Sequence, residues 1–313
     1  MNILITGGTG FIGSYLTREL HKMNHKIILL KRSSSDTWRI GDIMDKLVSY
    51  NLDKITDLES IFSENTIDLI IHLAGLHIRH HSKTKELEEM NNVNINFPIK
   101  LLDIAVKFQV KGFINTGTFS EYKLTIKPAS EKDEIKPYNY YSATKSVFEN
   151  LLKFYTTNNG IKGISLRLFS PYGERDNDKI IPLIIKSFIF GKKLELTKGE
   201  QRLSFTYIGD IIDAYVKSIN FMFSDKYKHY EEFNIGDIKN YSIKKIIKII
   251  EIISSKNNKI KLGTLPYHKH ELMFGLCDNY KARRLLHWHP QVDIIKGLKK
   301  TYNYYLNENN KHL

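Results

Sequence analysis

The sequence predicts an α/β protein built on a doubly wound parallel sheet, with a smaller mixed region towards the C-terminus. Two observations predict this class. Over the first 170 residues, short β-branched runs alternate with longer amphipathic segments of helical period. After "SPYG" at 170–173 the alternation loosens. Because parallel strands are joined by crossover helices, the alternation indicates parallel strands with helices on both faces of the sheet.

Six runs are predicted as strands: "NILIT", "KIILL", "KLVSY", "DLIIHLA", "GFINTG" and "GISLRLF". The amphipathic segments between most of these runs are predicted as the crossover helices. We therefore expect a first domain over 1–170, to which segments near 204–250 return, and a second region over 171–313. In the second region, "IIPLIIKSFIFGKK" and "YSIKKIIKIIEIIS" have a helical pattern.

The composition is that of a globular chain, with 42% hydrophobic and 26% charged residues among 313. The apolar run "IIPLIIKSFIF" is short and broken by Lys186, so we expect no membrane span. The start "MNILITGGTG" lacks the basic region and apolar core of a secretion signal. A lone cysteine, Cys277, rules out an internal disulfide and agrees with a reducing compartment. These features predict a cytoplasmic protein.

The formal net charge of +13 has two interpretations. It can indicate an acidic partner, such as nucleic acid, a membrane surface or a phosphorylated small molecule. Alternatively, lysines are enriched throughout the chain and cover solvated faces. No compact Arg-rich arm or aromatic nucleic-acid motif accompanies the charge. We therefore expect no nucleic-acid or membrane partner, and at most an assisting role in the capture of phosphorylated ligands.

A glycine-rich turn follows the first predicted strand. In "ILITGGTGFIGSYL", Gly7, Gly10 and Gly13 lie between that strand and a helix whose first turn contains Phe11 and Ile12. Glycine permits a tight turn and the close approach of a pyrophosphate, while the helix N-terminus supplies N–H donors. A glycine triad alone is a weak signal. Its position in a βαβ unit predicts that the first domain is a Rossmann-type dinucleotide-binding domain.

The end of the second strand distinguishes the two nicotinamide dinucleotides. NAD enzymes usually place Asp or Glu there to bind the ribose 2′-hydroxyl, whereas the 2′-phosphate of NADP prefers cations. In "IILLKRSSS", Lys31, Arg32 and Ser33 stand at this point, and Asp36 follows a little later. A guanidinium can bind a phosphate in bidentate fashion. We expect NADPH as cofactor; the alternative is that these cations are exposed lysine-rich surface.

In "YNYYSATK", Tyr141 lies four residues before Lys145, at the expected start of the helix that follows the fifth strand. The same spacing occurs twice elsewhere in the chain, so the position in the fold gives this pair its meaning. An unperturbed phenol has a pKa near 10, and a neighbouring ammonium favours the phenolate. We expect Tyr141 to be the catalytic acid, with Lys145 lowering its pKa towards neutral pH.

The G-x-x-G-x-x-G spacing in "GGTGFIG", together with the Tyr141 and Lys145 pair, resembles the extended branch of the short-chain dehydrogenase/reductase superfamily, the NAD-dependent epimerase/dehydratase family. The resemblance covers nearly the whole chain. It implies a catalytic hydroxyl four residues before a tyrosine, which is Thr118 before Tyr122, with Thr116 and Ser120 as competitors.

The same resemblance implies further contacts with the cofactor. It implies that Lys145 holds the nicotinamide ribose. It also implies a homodimer that forms through the helices containing Asn94 and Tyr141. The other cofactor-binding residues that it implies are Asn51, Leu52, Leu73, Ala74, Gly75 and Asn94.

Members of that branch mostly act on nucleotide-activated sugars, and three activities have to be separated. Its dehydratases carry Asp and Glu directly after the catalytic Thr, whereas this chain has Phe119 and Ser120, so dehydration lacks its proton carriers. Its enzymes that epimerise and reduce a GDP-sugar carry Cys where Ser120 stands and His where Arg175 stands. Simple 4-epimerases usually retain NAD, which the cations after the second strand disfavour. Reduction of a sugar ketone by NADPH remains.

The segments "PIKLLDIAVK", "FINTGTF", "TKGEQ", "IGDIIDAY" and "HKHELMF" resemble the CDP-abequose and CDP-paratose synthases. These enzymes reduce C4 of a CDP-4-keto-3,6-dideoxyhexose. The resemblance implies a nucleotide-diphosphate sugar as substrate and makes 171–313 mainly a substrate-binding region. The alternatives are an NAD-retaining nucleotide-sugar 4-epimerase and a cofactor-binding regulator without chemistry.

This chain departs from the pattern of that family at positions that would contact the substrate. Its usual Asn before the "YG" turn is Ser170, and its pyrophosphate-binding Arg aligns with Leu203. Arg202, one residue earlier, would face the opposite side of a regular strand, and only a bulge would turn it inward. The substrate contacts that we expect are Thr118, Phe119, Ser120, His80, Ser170, Arg175, Arg202 and His268.

Histidines occur close together at His77, His80 and His81, and again at His268 and His270. No cysteine or helix-spaced acidic partner accompanies them, so we expect no metal site. His80 and His81 are expected on a loop over the substrate or in solvent.

Overall fold

The structure, a computed structural model, describes residues 1–78, 83–176, 179–257, 259–268 and 271–310. In chain order, the strands are β1 Asn2–Thr6, β2 Lys26–Lys31, β3 Val48–Asn51, β4 Leu69–His72, β5 Gly112–Thr118, β6 Lys162–Leu168, β7 Pro171–Tyr172, β8 Leu194–Leu196, β9 Arg202–Leu203, β10 Thr206–Tyr207, β11 Glu231–Ile235, β12 Tyr241–Ser242, β13 Ile260–Leu262 and β14 Phe274–Gly275.

In chain order, the helices are α1 Phe11–Lys22, α2 Glu59–Glu64, α3 Thr84–Asn91, α4 Phe97–Lys107, α5 Tyr140–Asn159, α6 Ile180–Phe190, α7 Ile208–Met222, α8 Ile243–Ser254, α9 Tyr280–Leu285 and α10 Ile294–Asn310. Between α3 and α4 the helical path continues through a wider, π-helical turn at Asn92–Asn96. Among the described residues, no helix combines the length and apolar content that crossing a membrane requires.

Seven strands form the central sheet in the order β11-β6-β5-β4-β1-β2-β3, and each neighbouring pair is parallel. The predicted α/β class with a Rossmann-type parallel sheet is confirmed. The chain runs outward from β1 to β3 and then returns to the other side of β1 at β4. The carboxyl ends of β1 and β4 therefore flank the crevice at this reversal, where sheets of this kind bind ligands.

The central strands contain runs of buried apolar residues because both faces of the sheet are covered. Ile3 and Ile5 of β1 pack into the core that contains α1, α6, α7 and α8, whereas Leu4 packs into the core that contains α2, α4 and α5. Successive side chains of a strand point to opposite faces, so an unbroken apolar run such as "NILIT" fills both layers.

The chain after 170 contributes the short strands. β7 pairs with β10, β8 with β13, and β9 with both β12 and β14. Glu231–Ile235 instead joins the central sheet beside β6. The helix that precedes this strand in the chain, α7, packs against α1.

Candidate active site

The glycine turn closes against the segment that follows β4. Gly7 has a φ of +71°, and a Cβ placed on it would lie 2.6 Å from Ala74 N. A Cβ on Gly13 would lie 2.1 Å from Gly7 O. Gly10 donates its N–H to Gly7 O at 3.1 Å and is the N-cap of α1, so Phe11 and Ile12 form the first helical turn. The turn has no room for side chains at Gly7 and Gly13 and leads into a helix N-terminus, which is the arrangement that binds the pyrophosphate of a dinucleotide.

Two predicted cofactor residues meet at the carboxyl ends of β2 and β3. Lys31 Nζ donates to Asn51 Oδ1 at 2.6 Å, and the side chain of Arg32 is exposed. Ser33 N donates to Asp53 Oδ1 at 2.6 Å, and this hydrogen bond lowers the pKa of Asp53. Asp53, which comes directly after Leu52, was missed from the sequence. It places a carboxylate beside the cationic segment.

The turn after β4 is held by Thr6 at the end of β1. Thr6 Oγ1 hydrogen-bonds His72 Nδ1 at 2.7 Å, and Leu73 N donates to Thr6 O at 3.1 Å. Ala74 N donates to Thr6 Oγ1 at 3.3 Å. Burial keeps the pKa of His72 well below its usual value, so the imidazole is neutral. Of the residues predicted to contact the cofactor, Leu73 and Ala74 thus face the glycine turn, and Gly75 lies beside Asn94.

Asn94 lies in the π-helical turn and is fully buried. Its Oδ1 accepts from Leu76 N at 2.8 Å, and its Nδ2 donates to Leu76 O and to Thr144 Oγ1, both at 2.9 Å. Asn94 was predicted to bind the cofactor, but both of its side-chain amide hydrogens donate to acceptors within the protein. Asn94 joins the loop after β4 to α5.

The candidate acid lies in the first turn of α5. Asn139 caps this helix, since its Oδ1 accepts from Ser142 N at 2.8 Å. Tyr141 and Lys145 consequently lie one turn apart, and α5 packs against β5 and the turn Phe119–Glu121. Only 2% of Lys145 is exposed.

Three hydroxyls were candidates at the end of β5. Thr118 Oγ1 and Ser120 Oγ lie 3.0 Å apart in a hydrogen bond. Thr116 Oγ1 instead bonds Tyr215 OH of α7 at 2.6 Å. The structure therefore pairs Thr118 with Ser120 and engages Thr116 elsewhere.

Glu121 was missed from the sequence, although Thr118-x-x-Glu121 is the signature of a capping box. Its Oε1 accepts from Thr118 N at 2.7 Å, and the residue is 1% exposed. Burial, followed by the charge of the nearby Glu149, raises the pKa of Glu121 to about 8. Burial lowers the pKa of Lys145 to about 8, against the opposite effect of Glu121 and Glu149.

The expectation that Lys145 lowers the pKa of Tyr141 is wrong. Burial, followed by the charge of Glu121, raises the pKa of Tyr141 to about 12. The phenol loses hydration that would stabilise its ionised form, which the helical spacing of Tyr141 and Lys145 alone does not reveal. At neutral pH the phenol is therefore protonated.

Phe119 occupies the position where the dehydratases carry an acid. Its ring stacks on Phe169 at a centroid distance of 5.1 Å, in a buried cluster with Tyr122 and Cys277. A Cβ on Gly275 would lie 2.5 Å from Phe119 Cε2. With 8% of Phe119 exposed, most of this predicted substrate contact is used in packing.

Ser170 and Arg175 both have positive φ, at +34° and +64°. Arg175 Nη1 donates to Arg39 O at 2.8 Å, and Arg39 Nε donates to Arg175 O at 3.0 Å. The guanidinium predicted to contact the substrate is thus engaged with the chain that follows β2.

Arg202 pairs with Phe274 in β14, and Leu203 pairs with Gly275, without an extra residue between them. The bulge that would turn Arg202 inward is absent from these paired residues. The Arg202 side chain is exposed and its Nε donates to Asn240 Oδ1 at 2.9 Å. The prediction that Arg202 faces the substrate is therefore not supported, because a regular register leaves it on the outer face.

The segments "TKGEQ" and "HKHELMF" are packed together. Gln201 Nε2 donates to Glu271 Oε1 at 3.0 Å, and Arg202 N donates to Met273 O at 2.8 Å. Glu271 Oε2 accepts from His268 N at 3.3 Å, which places the predicted substrate residue His268 in the same unit.

Of the histidines considered from the sequence, His80, His81 and His270 lie outside the described residues. The ring of His77 stacks on that of Tyr141. Within the described ranges, no cluster of three or more His, Cys, Asp or Glu residues is arranged to hold a metal ion.

Comparison with known proteins identifies one family and several similar proteins. The NAD dependent epimerase/dehydratase family matches residues 3–236. CDP-abequose synthase of Salmonella muenchen is 30% identical over 304 residues, covering 95% of this chain and 96% of that protein. dTDP-4-dehydro-6-deoxyglucose reductase of Escherichia coli is 29% identical over 318 residues, covering 95% of each. The structure of UDP-glucuronic acid 4-epimerase from Bacillus cereus, in complex with UDP-glucuronic acid and NAD, matches with a TM-score of 0.86 at 29% identity, covering 98% of this chain and 99% of that one.

Proposed function

The chain belongs to the NAD-dependent epimerase/dehydratase family and is an NAD(P)-dependent oxidoreductase, and from this premise we propose which reaction it performs. The proposed reaction is the reduction by NADPH of the C4 ketone of a nucleotide-activated 4-keto-6-deoxy sugar, or of its 3,6-dideoxy counterpart. The proposed setting is the cytoplasm.

In this reaction, Tyr141 donates the proton of its hydroxyl to the ketone oxygen as negative charge develops there. Thr118 Oγ1 orients the same oxygen, and the Lys145 ammonium holds the nicotinamide ribose. A bound reduced nicotinamide supplies the hydride to C4 of the sugar. The ketone becomes a secondary alcohol, and the Tyr141 phenolate regains a proton from solvent.

One observation carries this proposal: the end of β5 offers hydroxyls and no exposed acid or base. Thr118 and Ser120 form a hydroxyl pair 3.0 Å apart, and the residue between them is a buried phenylalanine. Burial holds the pKa of Tyr141 at about 12, so the phenol is a proton donor at neutral pH. Carbonyl reduction needs a hydride donor, a proton donor and an orienting hydroxyl, and no further acid or base.

NADPH is proposed because Lys31 and Arg32 stand at the end of β2, where an NAD enzyme carries an acidic residue. The glycine turn, with no room for side chains at Gly7 and Gly13, suits the dinucleotide pyrophosphate. The nucleotide of the substrate is open between CDP, which the abequose synthase relative favours, and dTDP, which the reductase relative favours.

A homodimer is proposed through the helical segments that contain Asn94, in the π-helical turn before α4, and Tyr141, in α5. On α5, Val147 is 45% exposed and Phe154 is 58% exposed, with the half-buried Leu151 between them. The spacing i, i+4, i+7 places the three side chains on one face of the helix. An apolar stripe on the outer face of α5 suits a second copy of the same helix.

A nucleotide-sugar 4-epimerase is the second candidate. It is favoured by the 29% identity to the Bacillus cereus epimerase and by the fact that a Tyr, Lys and hydroxyl set also serves reversible hydride transfer. In that case the protein would retain NAD and interconvert two nucleotide sugars without net consumption of reduced cofactor.

The deciding experiment incubates the purified protein with NADPH and a panel of CDP-, dTDP- and GDP-4-keto-6-deoxy and 3,6-dideoxy sugars. We expect stoichiometric loss of the dihydronicotinamide absorbance and a C4 alcohol identified by NMR. Co-purified NAD, together with interconversion of 4-epimers and no loss of NADPH, would establish the epimerase instead.

A further inference from the structure

Behind the end of β5 lies a carboxyl group that the proposed reaction does not use. Glu121 is 1% exposed, and its Oε1 accepts the main-chain N–H of Thr118 at 2.7 Å. Its Oε2 is buried and has no hydrogen-bond partner in the part of the chain that the structure describes. A buried carboxyl oxygen without a partner is costly and is a reason to look for a role.

A second buried carboxyl lies close by. A Cβ placed on Gly117 would be 3.1 Å from Glu121 Oε1 and 3.3 Å from Glu149 Oε2. Arg167 binds Glu149 through both Nη2 and Nε, the latter at 3.3 Å, and the pair is at least nine-tenths buried. Arg167 therefore neutralises Glu149 and leaves Glu121 to face the buried ammonium of Lys145.

We propose that Glu121 is a positioning residue, which holds the Thr118 main chain and adjusts, by gaining or losing one proton, the charge that Lys145 and Tyr141 experience. The proposal rests on the proposed function, because it assigns Glu121 a role through Thr118, Lys145 and Tyr141. The groups that face it are Lys145, Tyr141 and Glu149 from α5, Arg167 from β6 and the Thr118 amide from β5.

The sign of the effect follows from the charges. Burial raises the pKa of Glu121 to about 8, so the carboxyl is protonated at pH 7. When it ionises, its charge raises the pKa of Lys145, which stabilises the ammonium, and it also raises the pKa of Tyr141. Turnover should fall as the pH rises through about 8, because Lys145 then loses the proton of its ammonium.

Glu121→Gln tests this directly, because the amide oxygen still accepts from Thr118 N but the group cannot ionise. We expect kcat at pH 7 to stay within about tenfold of the wild type and the alkaline fall to move to lower pH, because the charge that raises the pKa of Lys145 is missing. Glu121→Asp retains an ionisable carboxyl, but the shorter side chain no longer reaches the N–H of Thr118. It should keep the alkaline fall and lose about 10- to 100-fold in kcat at all pH values. Unchanged pH profiles in Glu121→Gln overturn the proposal.

Glu131→Gln is the matched control. Glu131 is largely buried and its Oε1 accepts from a main-chain N–H, that of Asn234, at the same 2.7 Å. Burial likewise raises its pKa, yet it does not bond Thr118. The pH profile of this variant should match the wild type, and a shift equal to that of Glu121→Gln would overturn the assignment to Glu121.

A readout without substrate separates this proposal from the proposed function. The infrared spectrum of the wild type at pH 6.5 should contain a protonated carboxyl band that is missing from Glu121→Gln and disappears as the pH rises through about 8. Because the folded pKa lies above the unfolded value of 4.5, the wild type should also lose unfolding free energy between pH 4.5 and 8 relative to Glu121→Gln. Absence of the band refutes the inference even if NADPH is turned over.

Discussion

The imidazole ring of His77 stacks on the phenol ring of Tyr141, with centroids 4.5 Å apart and planes inclined by 26°. His77 belongs to the loop after β4, and Tyr141 belongs to the first turn of α5. The contact therefore joins the candidate acid on α5 to the loop after β4. Stacking of this kind favours the orientation in which the two rings overlap.

Replacing Tyr141 by Phe should leave NADPH binding intact and lower kcat by about 10²- to 10⁴-fold, because a positioned proton donor contributes on this scale. Stopped-flow turnover and fluorescence titration of NADPH measure the two quantities. Tyr155→Phe, at the other end of α5 with its hydroxyl on Asp103 Oδ1, is the control and should retain activity. Full activity of Tyr141→Phe would reject the assignment.

Arg32→Ala should weaken NADPH binding by about 10- to 100-fold and NADH binding far less, because only NADPH carries the phosphate that the guanidinium can bind. Dissociation constants for both cofactors are compared in isothermal titration. Lys22→Ala, which removes an exposed cation from the far end of α1, should leave both constants unchanged. Equal losses for the two cofactors in Arg32→Ala would contradict the phosphate contact.

Asp53→Asn should strengthen NADPH binding by about two- to fivefold. The Asp53 carboxylate accepts from Ser33 N at 2.6 Å and brings a negative charge to the segment where the 2′-phosphate is expected. The amide can keep a hydrogen bond and removes the charge. Lowering the salt concentration should enlarge the gain, since screening of exposed charges decreases. Weaker NADPH binding would show that Asp53 orders Ser33 rather than repels the phosphate.

Arg167→Met should destabilise the protein by about 3–5 kcal/mol, because it leaves the Glu149 carboxylate buried without its partner. Replacing both residues, as Glu149→Leu with Arg167→Met, should cost less than the single change. Urea unfolding measures both. Lys107→Met removes the exposed Lys107–Glu59 pair and should leave the unfolding free energy nearly unchanged. A double variant less stable than Arg167→Met would contradict this reasoning.

Phe154→Glu should convert a homodimer to a monomer, because a charge would have to be buried in the proposed α5 interface. Light scattering coupled to gel filtration gives the mass. Lys153→Glu changes the charge on a neighbouring exposed position away from the apolar stripe and should remain dimeric. A monomeric wild type would disprove the proposed dimer.

The sheet could be predicted because its six first strands are apolar runs separated by amphipathic segments, a pattern set by burial on both faces. The edge strand Glu231–Ile235 could not be predicted, since "EEFNI" is short, begins with two acidic residues and pairs only at the edge of the sheet. Tyr141 and Lys145 could be named from their spacing and their place in the fold, and Thr118 from the resemblance to the family. Their pKa values could not, because burial of Tyr141 depends on how α5, β5 and the loop after β4 meet.

Contacts between distant segments account for the other differences. Arg175 was expected to contact the substrate, but its guanidinium bonds the main chain of Arg39, 136 residues away, which no local pattern encodes. Asp53 and Ser33 are brought together only because β2 and β3 are neighbours. Glu121 is the exception: its capping-box spacing from Thr118 is visible in the sequence and would have identified it.

Because "TKGEQ" packs against "HKHELMF", neither stretch can be exchanged for that of a relative without affecting the other. Gln201 and Glu271 share a hydrogen bond, and the main-chain N–H of Arg202 donates to Met273 O. Grafting either stretch alone from a relative would leave a buried amide or a strand edge facing a foreign surface. Chimaeras that test the proposed substrate-binding region should therefore carry both stretches from the same donor.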